Sequence, residues 1–178
     1  EKEACPNNLA PTTSTTAQLV LGDALAVCLV NSRGFTSKDF AKYHPGGALG
    51  KRLYLRVSDL IINNLVPKVT ATDSIAKVIN EISEKRLGVT AVVDTHKIVG
   101  IITDGDIRRM LADTTNISEY TAKDIMGINP KTIDSEAMAI DALNTMENSS
   151  ITQILVTNHN KNYIGVVHLH DLIKEGIF

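Results

Sequence analysis

The stretch GIITDGDIRR (100–109) is the strongest indication of the fold, because the chain contains it again in a second form, GVVHLHDLIK (165–174). In each form a glycine and a short apolar run lead to a polar residue, and an aspartate follows three positions later. The apolar run is typical of a buried strand, and the polar residue after it is a good place for a helix to begin. The stretch therefore predicts a strand-to-helix junction that occurs twice.

The similarity extends over two longer segments, 66–110 and 129–176, in which Pro67 corresponds to Pro130. Each segment predicts a strand, an amphipathic helix, two further strands and a short closing helix. The predicted elements are strands at 89–93, 98–103, 154–157 and 163–168, first helices that begin at Asp73 and at Ser135 or Glu136, and closing helices at 107–111 and 172–177.

The composition of the 178-residue chain excludes some classes of function. Hydrophobic residues make up 43% of the chain, which is enough for a buried core. The net charge is only -2, and aromatic residues make up 4%, with no Trp. A chain with this charge and so few aromatic rings does not indicate binding to nucleic acid or to an anionic membrane, and we expect neither partner.

The sequence predicts a cytoplasmic protein. The first residues, EKEACPNN, do not show the basic region followed by an apolar stretch that marks a signal peptide. We also find no run of about 18 uncharged apolar residues, the length that a membrane span requires. Cys5 and Cys28 lack the spacing of metal ligands and suit a reducing compartment.

The duplicated pattern resembles a tandem pair of CBS domains, the regulatory module named after cystathionine β-synthase, over roughly residues 66–178. The order of elements and the signature Gly-apolar-apolar-Thr-x-x-Asp carry the resemblance; the first segment matches the signature fully, and the second matches it with His168 in place of Thr. It implies a mixed α/β (α+β) fold in which two β-α-β-β-α units pack with pseudo-twofold symmetry.

The same resemblance implies a nucleotide site at each strand-to-helix junction. The Asp binds ribose, the Thr binds phosphate, and apolar residues of the first strand enclose the base. By position, the candidates are Thr103 and Asp106 in the first copy and His168 and Asp171 in the second. A helix N-terminus is itself suited to phosphate. The regulatory ligand is left open between an adenine nucleotide and CMP-Kdo, an activated sugar nucleotide.

Two other interpretations of these junctions stay open. Asp104 or Asp106 can simply cap a helix, which stabilises it by about 1 kcal/mol. A metal ion is the other alternative, because Asp104 and Asp106, and likewise His168 and His170, lie two residues apart. No third and fourth ligands cluster near them in the sequence, and Mg²⁺ or Ca²⁺ sites usually need more carboxylates. We therefore expect no metal site.

The first fifty residues differ in character from the repeat. A predicted helix at 15–32 is apolar nearly all round, and TTSTT before it offers N-cap hydroxyls. Thr36 or Ser37 can begin a short helix that runs through Lys42, and HPGGALGKRL (44–53) is expected to interrupt regular structure. The helix at 15–32 requires a cover from another segment, a partner chain or a domain outside the chain.

Two N-terminal segments, CPNNLAPTTSTTAQLVLGDALAV and RGFTSKDFAKYHPGGALGKRLYLRVSDL, resemble the end of the sugar-isomerase (SIS) domain in D-arabinose-5-phosphate isomerases. These enzymes consist of a SIS domain followed by a CBS pair, so the resemblance covers the whole chain. It implies a C-terminal part of such an enzyme. The expected organisation is a SIS remnant at 1–50, a linker at 51–65, and CBS domains at 66–115 and 124–178.

The resemblance also implies a chemistry. The family interconverts ribulose 5-phosphate and arabinose 5-phosphate for the synthesis of Kdo, a component of lipopolysaccharide or capsule, and uses no catalytic cofactor. The enediol route needs an acid and a base to move protons. The family's catalytic Glu precedes the CPNN loop and its catalytic His lies in HPGG, which gives Glu3 and His44 here.

The expected partners are those of the parent enzyme: a sugar phosphate substrate, a nucleotide effector and further copies of the chain. We expect a dimer of CBS pairs and a tetramer of the parent. The phosphate loop and the remaining catalytic residues lie upstream in the family, so the 178-residue chain alone is expected to be inactive.

Two other functions are compatible with a CBS pair. One is a stand-alone regulator that binds a nucleotide without catalysis, and the other is the regulatory tail of a transporter or ion channel. The segments HPGGALG and CPNNLAPTTSTTA favour the isomerase, because they resemble the isomerase domain and a stand-alone sensor does not require them.

Overall fold

The computed structural model describes residues 2–44, 46–114 and 116–177, and the chain forms two compact units, residues 1–45 and 46–178. The first unit contains helix α1 (Thr13–Ser32) and helix α2 (Ser37–Tyr43). The predicted helix at 15–32 is confirmed, with a start two residues earlier. The predicted start of α2 is also confirmed, since Thr36 and Asp39 form a reciprocal capping box at its N-terminus.

Within its unit, α1 has an uncovered apolar surface. None of its residues is buried, and an open groove of about 720 Å³ runs along its N-terminal half. Among the described residues, α1 is the one helix long and apolar enough to cross a membrane, a test that core helices of water-soluble proteins also pass. Because α1 contains Asp23 and several Ser and Thr residues, it passes this test without being a run of about 18 uncharged apolar residues.

The second unit contains two short helices and then the predicted β-α-β-β-α order twice, which confirms the fold. The helices before the first copy are α3 (Ala48–Tyr54) and α4 (Val57–Ile61). The first copy consists of β1 (Lys68–Val69), α5 (Ile75–Lys85), β2 (Val89–Asp94), β3 (Lys97–Thr103) and α6 (Asp104–Asp113). A 3₁₀ turn (Ile117–Glu119) and α7 (Ala122–Ile125) lead to the second copy, with β4 (Thr132–Asp134), α8 (Ala139–Ser149), β5 (Gln153–Thr157), β6 (Tyr163–His168) and α9 (Leu169–Lys174).

The two sheets have the same topology. In each copy the first strand runs parallel to the second, and the second runs antiparallel to the third, in the orders β1-β2-β3 and β4-β5-β6. Thr103 pairs with Val89 at the end of β3, and His168 pairs with Gln153 at the end of β6. The register therefore brings the two candidate polar residues to equivalent places in the two sheets.

The helix that precedes each copy packs on the other copy. Val57 and Leu60 of α4 belong to the core formed by α8, β5, β6 and α9, whereas Ala122 of α7 belongs to the core of the first copy. The backbone follows the same exchange, since Val57 N–H donates to Ala137 C=O at 3.0 Å and Ala122 N–H donates to Asp73 C=O at 2.8 Å. The segment expected to be a linker, 51–65, thus contains a packed helix, and the repeat begins at RVSDLI (56–61) and TAKDIM (121–126).

The two copies join through their sheets. Val89 and Ala91 of β2 pack with Leu155 of β5 and Val166 of β6 in one buried cluster. These side chains are fully buried, so the contact excludes water along the junction between the copies. The strand-to-helix junctions therefore lie at the ends of strands that are buried against one another.

Several helix boundaries differ from the prediction. HPGGALGKRL does not interrupt the structure throughout, because α3 begins at Ala48 with Gly47 as its N-cap. Helix α8 begins at Ala139 rather than at Ser135 or Glu136, since Ser135 N–H donates to Thr157 C=O at 2.8 Å and extends the sheet. The closing helices begin directly after the last strands, three residues before their predicted starts at 107 and 172.

Candidate functional site

The first junction is a capping box that joins the two predicted residues of the first copy. Thr103 is the N-cap of α6, and its Oγ1 accepts a hydrogen bond from Asp106 N–H at 3.3 Å. In return, Asp106 Oδ2 accepts from Thr103 N–H at 2.8 Å and from the Thr103 hydroxyl at 2.6 Å. The structure therefore brings Thr103 and Asp106 into direct contact, in the geometry that the capping interpretation describes.

The second carboxylate oxygen of Asp106 faces a cation. Arg109 donates to Asp106 Oδ1 at 2.5 Å, one turn further along α6. The Arg109 side chain is 72% exposed and that of Asp106 is 19% exposed. An exposed ion pair of this kind contributes little to stability, so the Arg109 guanidinium can rotate towards another anion. Asp106 and Arg109 line an open groove of about 230 Å³ that Tyr120 and Ile125 also line.

The second junction repeats this geometry with different chemistry. His168 is the N-cap of α9, and its Nδ1 accepts from His170 N–H at 2.9 Å. His168 N–H donates to Asp171 Oδ2 at 3.0 Å, as Thr103 N–H does to Asp106. Burial lowers the pKa of His168, with Asp171 opposing the shift and His170 adding to it. The imidazole thus favours the neutral form, whose Nδ1 can accept a hydrogen bond from the helix N–H.

A residue that the sequence analysis missed completes the second junction. Asn64 lies after α4 and donates from Nδ2 to Asp171 Oδ2 at 3.0 Å and to Val166 C=O at 3.1 Å. An asparagine in an irregular segment more than a hundred positions before Asp171 gives no local signal of this contact. The alignment of RVSDLI with TAKDIM indicates that the repeat begins before Asn64, but it does not indicate which copy the chain after α4 contacts.

The interface between the copies holds a second polar cavity of about 340 Å³. Thr103, Asp104, Gly105 and Arg108 from the start of α6 line one side, and residues 150–153 of the second copy line the other. Asp104 is exposed, and its N–H donates to Gly88 C=O at 3.1 Å. The two aspartates therefore differ in environment: the Asp104 side chain is exposed, whereas the Asp106 carboxylate accepts hydrogen bonds within the capping box.

The metal alternative gains no support from the geometry. Within residues 2–44, 46–114 and 116–177, no group of three or more His, Cys, Asp or Glu side chains is arranged to hold a metal ion. His168 uses Nδ1 for the helix cap, and Asp106 uses both oxygens for hydrogen bonds.

Glu3, one of the two predicted catalytic residues, caps helix α1. Its Oε2 accepts from Thr12 N–H at 2.8 Å, from the Thr12 hydroxyl at 3.1 Å and from Ser14 N–H at 3.2 Å. The expected cap by the TTSTT hydroxyls is wrong, because the N-cap residue Thr12 gives no side-chain bond to the helix and a carboxylate from outside replaces it. Hydrogen bonds from the Ser14 side chain and from Thr12 N–H lower the pKa of Glu3 to about 2.

His44, the other predicted catalytic residue, ends helix α2. The side chain is exposed, and its ring stacks on Phe40 with a centroid distance of 4.5 Å. Among the described residues no hydrogen bond or ion pair joins His44 to Glu3. Pro45, the next residue of the HPGG motif, lies outside the described residues.

The fold and the paired junctions define the class of protein. The sequence profile of the CBS domain matches residues 57–113 and 122–177, more than half of the chain, so the chain belongs to the CBS domain family. The matched ranges begin at α4 and α7, the helices that the two copies exchange.

Curated relatives point to a particular kind of enzyme. The chain is 49% identical over 175 residues to the arabinose 5-phosphate isomerase KdsD of Francisella tularensis, covering 98% of this chain and 54% of the relative. It is 44% identical over 178 residues to KdsD of Pseudomonas aeruginosa, covering 99% of this chain and 55% of the relative. The resemblance to these isomerases is confirmed, and the chain spans about half the length of the relatives it matches.

A solved structure confirms the fold. A CBS domain protein from Pyrobaculum aerophilum, complexed with AMP, superposes with a TM-score of 0.61 at 24% identity, covering 66% of this chain and 90% of that chain. At this identity the likeness concerns the fold alone.

Proposed function

We propose that the chain is the regulatory part of an arabinose 5-phosphate isomerase and that its CBS pair senses a nucleotide. One observation carries the nucleotide proposal: an aspartate at the same place in both copies, held in a capping box at a helix N-terminus. A carboxylate fixed in this way presents acceptors to a vicinal diol, and the helix end presents donors to an anion. Ribose and phosphate supply these two groups.

The proposed binding step rearranges the first junction very little. The ribose hydroxyls would donate to Asp106, and Arg109 would leave Oδ1 and turn to the phosphate, since its side chain is exposed and held at one end. Asp106 would keep its bond to Thr103 N–H, so the start of α6 would stay capped. Two ligand classes fit this chemistry, an adenine nucleotide and CMP-Kdo; the AMP bound to the Pyrobaculum CBS protein supports the first.

For the isomerase we propose that His44 transfers the proton and that Glu3 is its carboxylate partner. The pKa of Glu3 of about 2 favours a permanently ionised group over a proton acceptor at neutral pH. The exposed imidazole of His44 is open to a ligand, which fits proton transfer at C1 and C2 or ring opening. Ribulose 5-phosphate and arabinose 5-phosphate are the proposed substrate and product, with no catalytic cofactor.

The proposed parent enzyme is a cytoplasmic homo-oligomer, and α1 is the part that supports an assembly. Its exposed apolar side chains would be covered in the parent by the rest of the isomerase domain or by a further copy. The chain alone would lack turnover, because positioning of the substrate phosphate supplies much of the rate of such a reaction. An assay of the purified chain with ribulose 5-phosphate tests this, and turnover above background contradicts it.

Calorimetric titration with AMP, ATP and CMP-Kdo tests the nucleotide proposal. Asp106→Ala should weaken binding at the first copy by about ten- to a hundredfold, because it removes charge-assisted bonds to ribose. Asp104→Ala is the matched control and should change affinity little, since Asp104 is exposed two residues away. An equal loss in both variants would indicate damage to the helix instead, and no binding to the wild type would refute the proposal.

A further inference from the structure

Asn64 provides Asp171 with the hydrogen bond that Thr103 provides to Asp106. In the first copy, Oδ2 of the aspartate accepts two bonds, one from the N-cap N–H and one from the N-cap hydroxyl. In the second copy the N-cap residue is His168, whose Nδ1 is committed to His170 N–H and cannot donate to Asp171. The second bond to Asp171 Oδ2 comes from Asn64 at 3.0 Å.

Asn64 holds this position through a second anchor. Its Nδ2 also donates to Val166 C=O at 3.1 Å, so one amide group bridges strand β6 and helix α9. In the first copy, the corresponding carbonyl, Ile101 C=O, accepts from the backbone N–H of Gly127 at 2.8 Å. The second copy therefore uses one side chain for two bonds that the first copy takes from the Thr103 hydroxyl and the Gly127 backbone.

The contact between Asn64 and Asp171 joins segments that are distant in the sequence. Asn64 lies in residues 62–67, which connect α4 to β1, and α4 packs on the second copy while β1 belongs to the first. Asp171 Oδ1 has no hydrogen-bond partner among the described residues, so one oxygen of this carboxylate is open to a hydroxyl. A ligand at Asp171 would thus meet a carboxylate whose orientation depends on the segment between the two copies.

We infer that Asn64 is the positioning residue of a second nucleotide site at Asp171 and that it replaces the missing N-cap hydroxyl there. The inference rests on the proposed nucleotide binding by the CBS pair. The ligand class is a nucleoside 5′-phosphate, whose ribose diol contacts the Asp171 carboxylate. Removal of the Asn64 amide should weaken binding at Asp171 and leave binding at Asp106 unchanged.

The test isolates the second site in an Asp106→Ala background. AMP and CMP are titrated by calorimetry against this variant alone and combined with Asn64→Ala, with Asn64→Asp, and with Asn63→Ala as the exposed neighbouring control. Loss of a hydrogen bond to a charged group should lower affinity about tenfold for Asn64→Ala. Asn64→Asp keeps the volume but replaces the donor by a second carboxylate, so its loss should be larger. Asn63→Ala should leave affinity unchanged.

Rescue separates positioning from a merely structural role. His168→Thr, added to Asn64→Ala, restores an N-cap hydroxyl that can donate to Asp171 as Thr103 does to Asp106. It should recover most of the lost affinity but not the melting temperature, because Val166 C=O remains without its donor. A combined variant that binds as weakly as Asn64→Ala would overturn the inference, as would unchanged affinity in Asn64→Ala.

The remaining outcomes distinguish this inference from the proposed function. If the wild type binds a nucleotide and Asp106→Ala binds none, Asp171 is not a site, so the inference fails and nucleotide sensing by the first copy stands. If the wild type binds neither AMP, CMP, ATP nor CMP-Kdo, the proposed function fails and the inference fails with it.

Discussion

The two CBS copies share a backbone plan and differ in how each completes its strand-to-helix junction. The first copy is self-contained: Thr103 and Asp106 exchange three hydrogen bonds within four residues. The second copy has His168 in place of the threonine and takes its missing donor from Asn64, 107 positions before Asp171 in the chain. A repeat can therefore keep the geometry of a junction while the chemical groups that complete it come from distant residues.

The same comparison extends to the helices that precede the copies. Helix α4 lies next to the first copy in sequence, yet Val57 and Leu60 pack in the core of the second. Helix α7 makes the reverse exchange through Ala122 and the partly buried Ile125. Removing either helix from its core should therefore damage the copy that the helix packs on and not the copy that it precedes.

The largest expected effect is on stability and follows from this exchange. Leu60→Ala should lower the free energy of unfolding by about 2–3 kcal/mol, because it leaves a cavity at a side chain that is 9% exposed. Amide hydrogen exchange should then rise first in β5 and β6. The matched variant Ile125→Ala should increase exchange first in β2 and β3. Increased exchange in β2 and β3 for Leu60→Ala would contradict the exchanged packing.

The next effect is a stabilisation specific to the first copy. Thr90 in β2 is fully buried and its hydroxyl has no hydrogen-bond partner among the described residues, whereas the corresponding residue in β5 is the apolar Ile154. Thr90→Val keeps the shape and removes the unsatisfied group, so the free energy of unfolding should rise by about 1 kcal/mol. Urea denaturation measures the change.

The control for this variant is Thr157 in the second copy. Its hydroxyl donates to Ile133 C=O at 3.5 Å, so Thr157→Val removes a weak bond rather than an unsatisfied group. We expect Thr157→Val to leave stability unchanged or slightly lower it. Stabilisation of similar size in both variants would show that valine favours these strands irrespective of the hydroxyl.

The smallest effect concerns pH and the second copy alone. The pKa of His168 is lowered by burial, so the folded chain binds a proton less readily than the unfolded chain. Neutral His168 therefore contributes to the stability of the fold above the usual histidine pKa of about 6.5. This contribution to the free energy of unfolding is lost as the pH falls from there towards the lowered pKa of the folded state. Protonation also removes the Nδ1 acceptor that caps α9.

His168→Thr tests this pH dependence, because it gives the second copy the N-cap of the first. Melting temperatures measured between about pH 7.5 and pH 5.5 should fall less for His168→Thr than for the wild type. His170→Ala is the comparison variant: it keeps the backbone N–H that serves the cap and removes only the smaller influence of the His170 imidazole on the His168 pKa, so it should reduce the pH dependence less than His168→Thr does. An identical pH profile for His168→Thr and the wild type would contradict the role of His168.

Much of the fold could be predicted from local patterns. The strands at 98–103 and 163–168 and the amphipathic helices of both copies were predicted because alternating or 3.6-residue periodicity reports which face of an element is buried. Helix starts were less accurate. Helices α6 and α9 begin earlier than predicted because Thr103 and His168 are their N-caps. Helix α8 begins later than predicted because Ser135 bonds to the sheet.

The candidate site could be predicted only in part, for a related reason. Thr103 with Asp106 and His168 with Asp171 lie three residues apart, and a helix N-terminus brings such pairs together without help from the rest of the chain. Glu3 and Thr12 are nine positions apart, and their contact caps α1 against the expectation from TTSTT. Nucleotide binding, and the catalytic roles of Glu3 and His44, stay predictions.

Local sequence patterns establish the duplication, the order of elements in each copy, and the two aspartates at the starts of the closing helices. These features depend on residues within a few turns or strands of one another, where backbone geometry and burial patterns act locally. The exchange of α4 and α7 and the hydrogen bond from Asn64 to Asp171 come instead from long-range packing. Those contacts depend on which surfaces meet when two sheets bury Val89, Ala91, Leu155 and Val166 against each other, and no local pattern encodes that meeting.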